Sequence, residues 1–371
     1  MALAGWIIFI ALFSVIISRG TKVALNNNNT LYGEENIETE YVYKGLFLVF
    51  VLWVVYSFLF GCREGFVDTY TYKLMAERIG SDFANMQDEE LAIVEQGFNA
   101  WMILCNKISG NNTQVFIFLT TAITFACGFI FIYKNSDDVP VSMFLFITLF
   151  SFTFVNGIRQ ALVAVIFALF YDKWKNRTVL MILVCVFLSL FHESALLLIP
   201  LYLCINGKFF NWKIKILFAF ALFSIVGYSQ IEKLLDIFIA EDYTETLSLM
   251  TTGASILRVL INSIPFVLVL IKYGTQGIDD EDDAKFCNII LIDMAINICS
   301  LKSTYFARMA IYFSIFVVAF YPRLINKVFN KKYRVLAYIF FIVLYSAFYI
   351  YQAYTFESYG YLREFHLVPL R

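Results

Sequence analysis

Apolar stretches of roughly 15–20 residues recur from one end of this 371-residue chain to the other, separated by short polar clusters. That spacing suits helices crossing a hydrocarbon core about 30 Å thick. With 60% hydrophobic residues, 15% charged and a mean hydropathy of +0.73, water could not solvate the surface of such a chain. The reading is an all-α, polytopic integral membrane protein, a single transmembrane domain over 1–371 with about twelve transmembrane or broken helices. The expected spans are 3–18, 44–60, 114–133, 140–156, 158–171, 178–191, 194–205, 213–229, 254–272, 286–300, 303–321 and 333–351.

Lysine and arginine set the orientation of such a bundle. One alternate set of loops holds about 17 of the 28 basic residues, with five between Arg323 and Arg334 alone, and is assigned to the cytoplasm. Both termini then lie outside. The apolar run Leu3 to Ser18 has its basic residues, Arg19 and Lys22, after it, the reverse of a cleavable signal, and reads as a retained first span. Two external segments exceed turn length, 61–113 and 230–253. In the first, Asp68 or Thr69 is placed to cap a helix from Tyr70 to about Ile79, and Gly97 to Ile108 is apolar but too short to span, hence interfacial or re-entrant.

Spans 178–191 and 194–205 are also short, about 20 Å each at 1.5 Å per residue. They read as a broken hairpin whose apex is Phe191-His192-Glu193-Ser194, with Ser194 available to cap the second arm. No internal repeat is evident. The formal charge of -1 says nothing of nucleic acid, which is discarded as a partner because no basic domain or aromatic-interleaved basic stripe stands outside the spans. The seven cysteines are scattered without CxxC or Cys/His spacing and read as packing residues, and with only two histidines no zinc site and no cofactor is expected.

On this topology Arg63, Glu64, Asp68, Arg159, Gln160, His192, Glu193, Lys302 and Arg308 all fall on the external side. Charges at the edge of apolar spans are costly unless paired or facing a wet cavity, so they are functional candidates. Arg159 follows a turn at Asn156-Gly157-Ile158 and precedes an apolar helix, so its guanidinium and the free amides of that helix could face one anion, such as a phosphate. The alternative is a snorkelling anchor. Arg308 either meets the same anion or forms a structural pair with Asp293. His192 beside Glu193 either moves a proton or donates to a phosphate, or is a buried structural histidine. Around Arg63, Glu64 and Asp68, with Gly65 permitting a sharp turn, one carboxylate could be a general base and the other accept a substrate hydrogen bond, or Asp68 could simply cap its helix. External aromatics such as Tyr70, Tyr72, Phe98, Trp101, Tyr359 and Tyr361 could stack on sugar rings.

Four fragments in this order, Arg63-Glu64-Gly65-x-x-Asp68-Thr69-x-x-Tyr72, Glu95-Gln96-Gly97-Phe98, Gly157-Ile158-Arg159-Gln160-Ala161-Leu162 and Phe191-His192-Glu193-Ser194-Ala195, resemble the EpsG family of Wzy-type polysaccharide polymerases across roughly residues 45–320. Glu193 departs from that pattern, since a basic residue is frequent there. The resemblance implies a GT-C-like membrane glycosyltransferase, metal-independent and inverting, that joins oligosaccharide repeat units carried on undecaprenyl diphosphate at the outer face of the bacterial cytoplasmic membrane. The product would be an O-antigen, capsule or exopolysaccharide, and a flippase and a chain-length regulator are the expected protein partners beside membrane lipids. The candidate catalytic residues are Asp68, Glu64, His192 and Glu193. Arg63, Arg159, Gln160, Arg308, Lys302 and Tyr72 are the candidates for diphosphate and sugar. Two other functions fit the composition, a flippase for lipid-linked oligosaccharides and a non-catalytic subunit of an export complex.

Overall fold

A computed structural model describes residues 35–82, 95–228, 253–274, 277–362 and 365–370, and there it is helical, with an isolated β-bridge between Arg63 and Leu367. The expected first span at 3–18 and most of the expected external loop at 230–253 lie outside the described residues. In chain order the helices are α1 (Glu35–Gly61), α2 (Thr69–Ile79), α3 (Gln96–Ser109), α4 (Thr113–Asn135), α5 (Val139–Asn156), α6 (Ile158–Leu169), α7 (Thr178–Ser189), a 3-10 segment (Glu193–Leu197) running into α8 (Leu198–Ile205), α9 (Trp212–Val226), α10 (Ile256–Asn262), α11 (Ile264–Tyr273), α12 (Glu281–Ser300), α13 (Thr304–Met309), α14 (Ile311–Val328) and α15 (Lys331–Ser358).

Among the described residues, five stretches are long and apolar enough to cross a membrane: Thr113–Asn135, Val139–Asn156, Ile256–Tyr273, Ile311–Val328 and Lys331–Ser358. Shorter apolar helices stand beside them at Val49–Gly61, Ile158–Leu169, Thr178–Ser189 and Glu193–Ile205. Helices suit a hydrocarbon solvent because each closes its own backbone hydrogen bonds. Their outer faces are apolar too. On α7 the side chains of Val179, Leu183, Val186 and Phe187 are exposed, and on α15 those of Leu336, Ile339, Phe340 and Val343. A surface of this kind is stable against lipid and not against water.

Two expected single spans are broken. Pro265 lacks an amide hydrogen and is tolerated in the first turn of a helix, so the 254–272 span parts at Ser263 and α11 begins there with Pro265 in its first turn. The 303–321 span parts at Ala310 between α13 and α14. Helix α12 starts five residues before the expected 286. The acidic run provides its start, for Asp280 accepts a hydrogen bond from the Asp283 amide at 2.7 Å, and Glu281, Asp282 and Asp283 occupy the first turn, where carboxylates oppose the positive end of the helix dipole.

The core is built on α4, which packs against α1 and α6, and on α14, which packs against α5, α6 and α12. Rings interlock there, with Phe125 stacked on Tyr56 and Phe60 and meeting Phe146 edge-on. Several polar groups inside are hydrogen-bonded across elements, as burial favours. Trp53 donates to the Ala122 carbonyl at 2.8 Å, tying α1 to α4, and Trp101 donates to Thr120 at 2.8 Å, tying α3 to α4. Asn106 donates to the carbonyls of Ala76 and Gly80, tying α3 to α2.

Ion pairs divide the molecule into two ends. At one, Arg323 pairs with Asp137 and Asp283, Lys327 with Asp283, Lys175 with Asp172 and Asp282, and Lys285 with Glu281. At the other, Glu95 pairs with Arg159 and His192, Arg308 with Asp68, and Glu64 with His366. Each of these pairs joins residues that the expected spans place on the same side.

Candidate functional site

Glu95 stands immediately before α3, and its carboxylate is almost fully buried. One oxygen lies 2.6 Å from His192 Nδ1 and accepts the Glu193 amide at 3.3 Å, while the other pairs with an Arg159 terminal nitrogen. Three segments far apart in sequence thus meet at one carboxylate. Burial works to raise the Glu95 carboxyl, but the hydrogen bond to His192 and the charges of Arg159 and His192 outweigh it, so it lies below its ordinary value.

The backbone explains the meeting. The amides of Gly97 and Phe98, at the open start of α3, both point at the Leu190 carbonyl beyond the end of α7, at 2.8 and 3.3 Å. A Cβ on Gly97 would stand 2.9 Å from the Leu190 carbonyl oxygen and 2.9 Å from its Cβ. Only glycine lets the α3 start press on the end of α7, and that contact brings Glu95 beside His192.

Arg159 enters from the first turn of α6. Its guanidinium carbon lies 5.6 Å from the centre of the Tyr72 ring and 5.9 Å from that of Phe98, both buried, so the two aromatics form a wall that holds the cation. Tyr72, expected to meet sugar, lies 7% exposed behind the arginine. Gln160 is buried beside Tyr312, whose hydroxyl is 2.7 Å from that of Ser194. Ser194 therefore braces the hairpin against α14 instead of capping it, and His192 occupies the cap position of the 3-10 segment.

Asp68 occupies the cap position of α2 but makes no capping hydrogen bond with its side chain. Instead one carboxylate oxygen lies 3.7 Å from an Arg308 nitrogen. Asp68 is placed by its backbone, since its amide donates to Asn156 at 3.1 Å, just ahead of the Gly157-Ile158-Arg159 turn. Burial holds its carboxyl above the usual value, opposed by the charges of Arg308 and Arg159. The residue with left-handed backbone in this loop is Val67, at φ 44, and not Gly65. Arg308 is half exposed, and its partner is Asp68, whereas Asp293 sits buried on α12, bonded by Asn297 with Arg258 as its charged neighbour. Glu193 and Lys302 are exposed.

Two expected site residues are turned to other work. Arg63 is fully buried and donates to Thr69 at 3.0 Å, to Thr121 at 3.2 Å, to the Val155 carbonyl at 2.9 Å and to the Phe60 carbonyl. It pins the ends of α1 and α5 to α4 and the start of α2. Thr69, the alternative cap, is consumed in that network. Glu64 pairs with His366, in a tail that crosses the end of α1 through Glu64 N to His366 O at 2.9 Å and Val368 N to Cys62 O at 2.8 Å.

Glu95 and Tyr312 are the residues that reading the sequence for site chemistry left out. The signal for Glu95 was a carboxylate opening an apolar helix that cannot span, on the same side as two unpaired cations. Among the described residues no group of three or more His, Cys, Asp or Glu side chains could hold a metal ion. The groups gathered at this end are cations and carboxylates: arginines such as Arg159 and Arg308 can bind anions, and Asp68 and His192 are types of side chain that can exchange protons. No curated protein and no solved structure matches the chain. The chain matches the model of the EpsG family over residues 46–368, and it belongs to that family of Wzy-like polysaccharide polymerases.

Proposed function

We propose that this protein is a membrane glycosyltransferase that joins oligosaccharide repeat units carried on undecaprenyl diphosphate, at the external face of the bacterial cytoplasmic membrane, with a flippase supplying the units and a chain-length regulator beside it. The observation that carries this reading is the convergence of Arg159, His192, Asp68 and Arg308 at one end of an apolar bundle. A lipid-linked diphosphate needs a site half in lipid and half in cations. Arg308, half exposed, and Arg159, backed by two rings, suit the diphosphate oxygens, with exposed Lys302 near the end of α12 as a further cation.

In this mechanism an acceptor hydroxyl oxygen attacks the anomeric carbon of the donor sugar from the face opposite the diphosphate. The new glycosidic C–O bond forms as the bond to the diphosphate breaks, which inverts the configuration. The bonding electrons go to the diphosphate oxygen, where Arg159 and Arg308 offset the charge and His192, in its imidazolium form with Nδ1–H held by Glu95, donates a hydrogen bond from Nε2. The hydroxyl proton goes to Asp68. Burial favours the protonated form of that carboxyl, and a carboxylate so disposed is a better base. Glu64, tied to His366, and Glu193, in the open, fit the base role less well.

Reconstitution of the purified protein in lipid nanodiscs with undecaprenyl-diphosphate-linked repeat units is the test. A ladder of polymer is expected from the wild type, with a loss of about a hundredfold or more in Arg159→Ala and His192→Ala at equal protein level. Absence of any joining by the wild type, or normal polymer from both variants, overturns the reading. Neither a flippase nor a scaffold joins sugars.

A further inference from the structure

Arg159 and His192 reach the site from different helices, and each long or rotatable side chain needs something to hold it. Arg159 has its aromatic wall and a hydrogen bond to the Tyr72 hydroxyl, which hold one side of the guanidinium and leave the other to a second partner. His192 has no such wall on the described contacts and sits in extended backbone at φ -160 between α7 and the 3-10 segment. What both share is one carboxylate, almost fully buried, whose two oxygens are divided between them.

We propose that Glu95 is the positioning residue of this site: one oxygen fixes the rotation of Arg159, the other accepts a hydrogen bond from His192 Nδ1 and leaves Nε2 as the nitrogen that meets substrate. A histidine ring offers two nitrogens, and the hydrogen bond made by one decides what the other presents. With Nδ1 lying 2.6 Å from Glu95, a ring flip would turn a carbon towards a carboxylate, so the orientation is locked. The Glu193 amide, also directed at that oxygen, anchors the hairpin apex to the same point. Among the described residues, the other charged or titratable groups near His192 are Arg159 from α6, the exposed Glu193 next to it and Tyr312 from α14 behind Ser194. Of these, Glu95 alone is bonded to the ring.

The inference rests on the polymerase reading for what Nε2 and Arg159 are held against, but the contact can be tested without any sugar transfer. The chain has two histidines, so His366→Gln leaves one ring in the spectrum. In protein labelled with 15N-histidine, the wild-type ring is expected to carry a hydrogen-bonded proton on Nδ1, and Glu95→Ala to lose it. Polymer formation should fall about thirtyfold to a hundredfold in Glu95→Ala. Combined with His192→Ala, the loss should be well short of the product of the two single losses, since Glu95 acts partly through that ring. Glu95→Asp, which keeps the charge, should recover more activity than Glu95→Gln. An unprotonated Nδ1 in the wild type, a ring spectrum indifferent to Glu95→Ala, or multiplying losses in the double variant would overturn the proposal. If the ring responds as expected but the wild type joins no sugars, the positioning contact stands and the polymerase reading falls.

Discussion

At the scale of single residues, Asp68 is set by opposed forces. Burial pushes its carboxyl up, and Arg308 and Arg159 pull it down. A base must be ionised to take a proton, so the rate should fall as pH drops through the Asp68 value. Replacing Arg308 with Gln removes one of the two charges that favour ionisation and leaves burial less opposed. The carboxyl then holds its proton to higher pH. The acid limb of the kcat/KM profile should move upward, and only modestly because Arg308 is half exposed and screened by solvent. A limb that stays in place while the plateau drops would show that another group takes the proton. The sequence pointed to Asp68 and to Arg308 but not to their pairing. Helix periodicity says nothing about a contact between residues 240 positions apart, and the cap position that Asp68 occupies suggested a local job that its side chain does not do.

At the scale of elements, hydropathy made the helices legible and hid their breaks. The short pair 178–191 and 194–205 was readable as a broken hairpin, and the non-spanning helix at 97–108 as a separate piece, because their lengths fall short of the bilayer. The parting at Ser263 had a signal in Pro265, but the apolar run across it looks continuous. What no pattern revealed is that α3 docks on the end of α7. That contact depends on Gly97, in a fragment readable only as a family resemblance. Substituting Ala there forces a Cβ against the Leu190 backbone, which has no side-chain freedom to yield. The start of α3 must retreat, at a cost of about 1–3 kcal/mol for an overpacked contact, and Glu95 retreats with it. Gly97→Ala should thus lower both the unfolding temperature in detergent and the polymer yield, and the yield should fall further than in a variant equally destabilised at the other end of the molecule, such as Asp283→Asn. Equal losses in the two would mean that Gly97 contributes stability alone.

At the scale of the whole molecule, the separation of ion pairs into two ends constrains how the chain threads the bilayer. A pair cannot form across the hydrocarbon, so each bonded pair fixes its two loops to one side. The loops of 61–68, 95, 156–159, 190–193, 308 and 366–368 share one side, and those of 137, 172–176, 281–285 and 323–327 the other. Lysine and arginine crowd the second set, which the positive-inside rule assigns to the cytoplasm. Single cysteines introduced into a cysteine-free background make this testable. At the exposed positions Glu193 and Lys302, an impermeant maleimide should label intact cells. At the exposed positions Asp279 and Lys332, it should label only after the membrane is opened. The reverse pattern would keep the shared site but move it to the cytoplasm, where a lipid-linked repeat would be met before export. Labelling of Glu193 and Lys302 from opposite sides would separate His192 from Arg308, and the anion and the proton acceptor could not then serve one reaction.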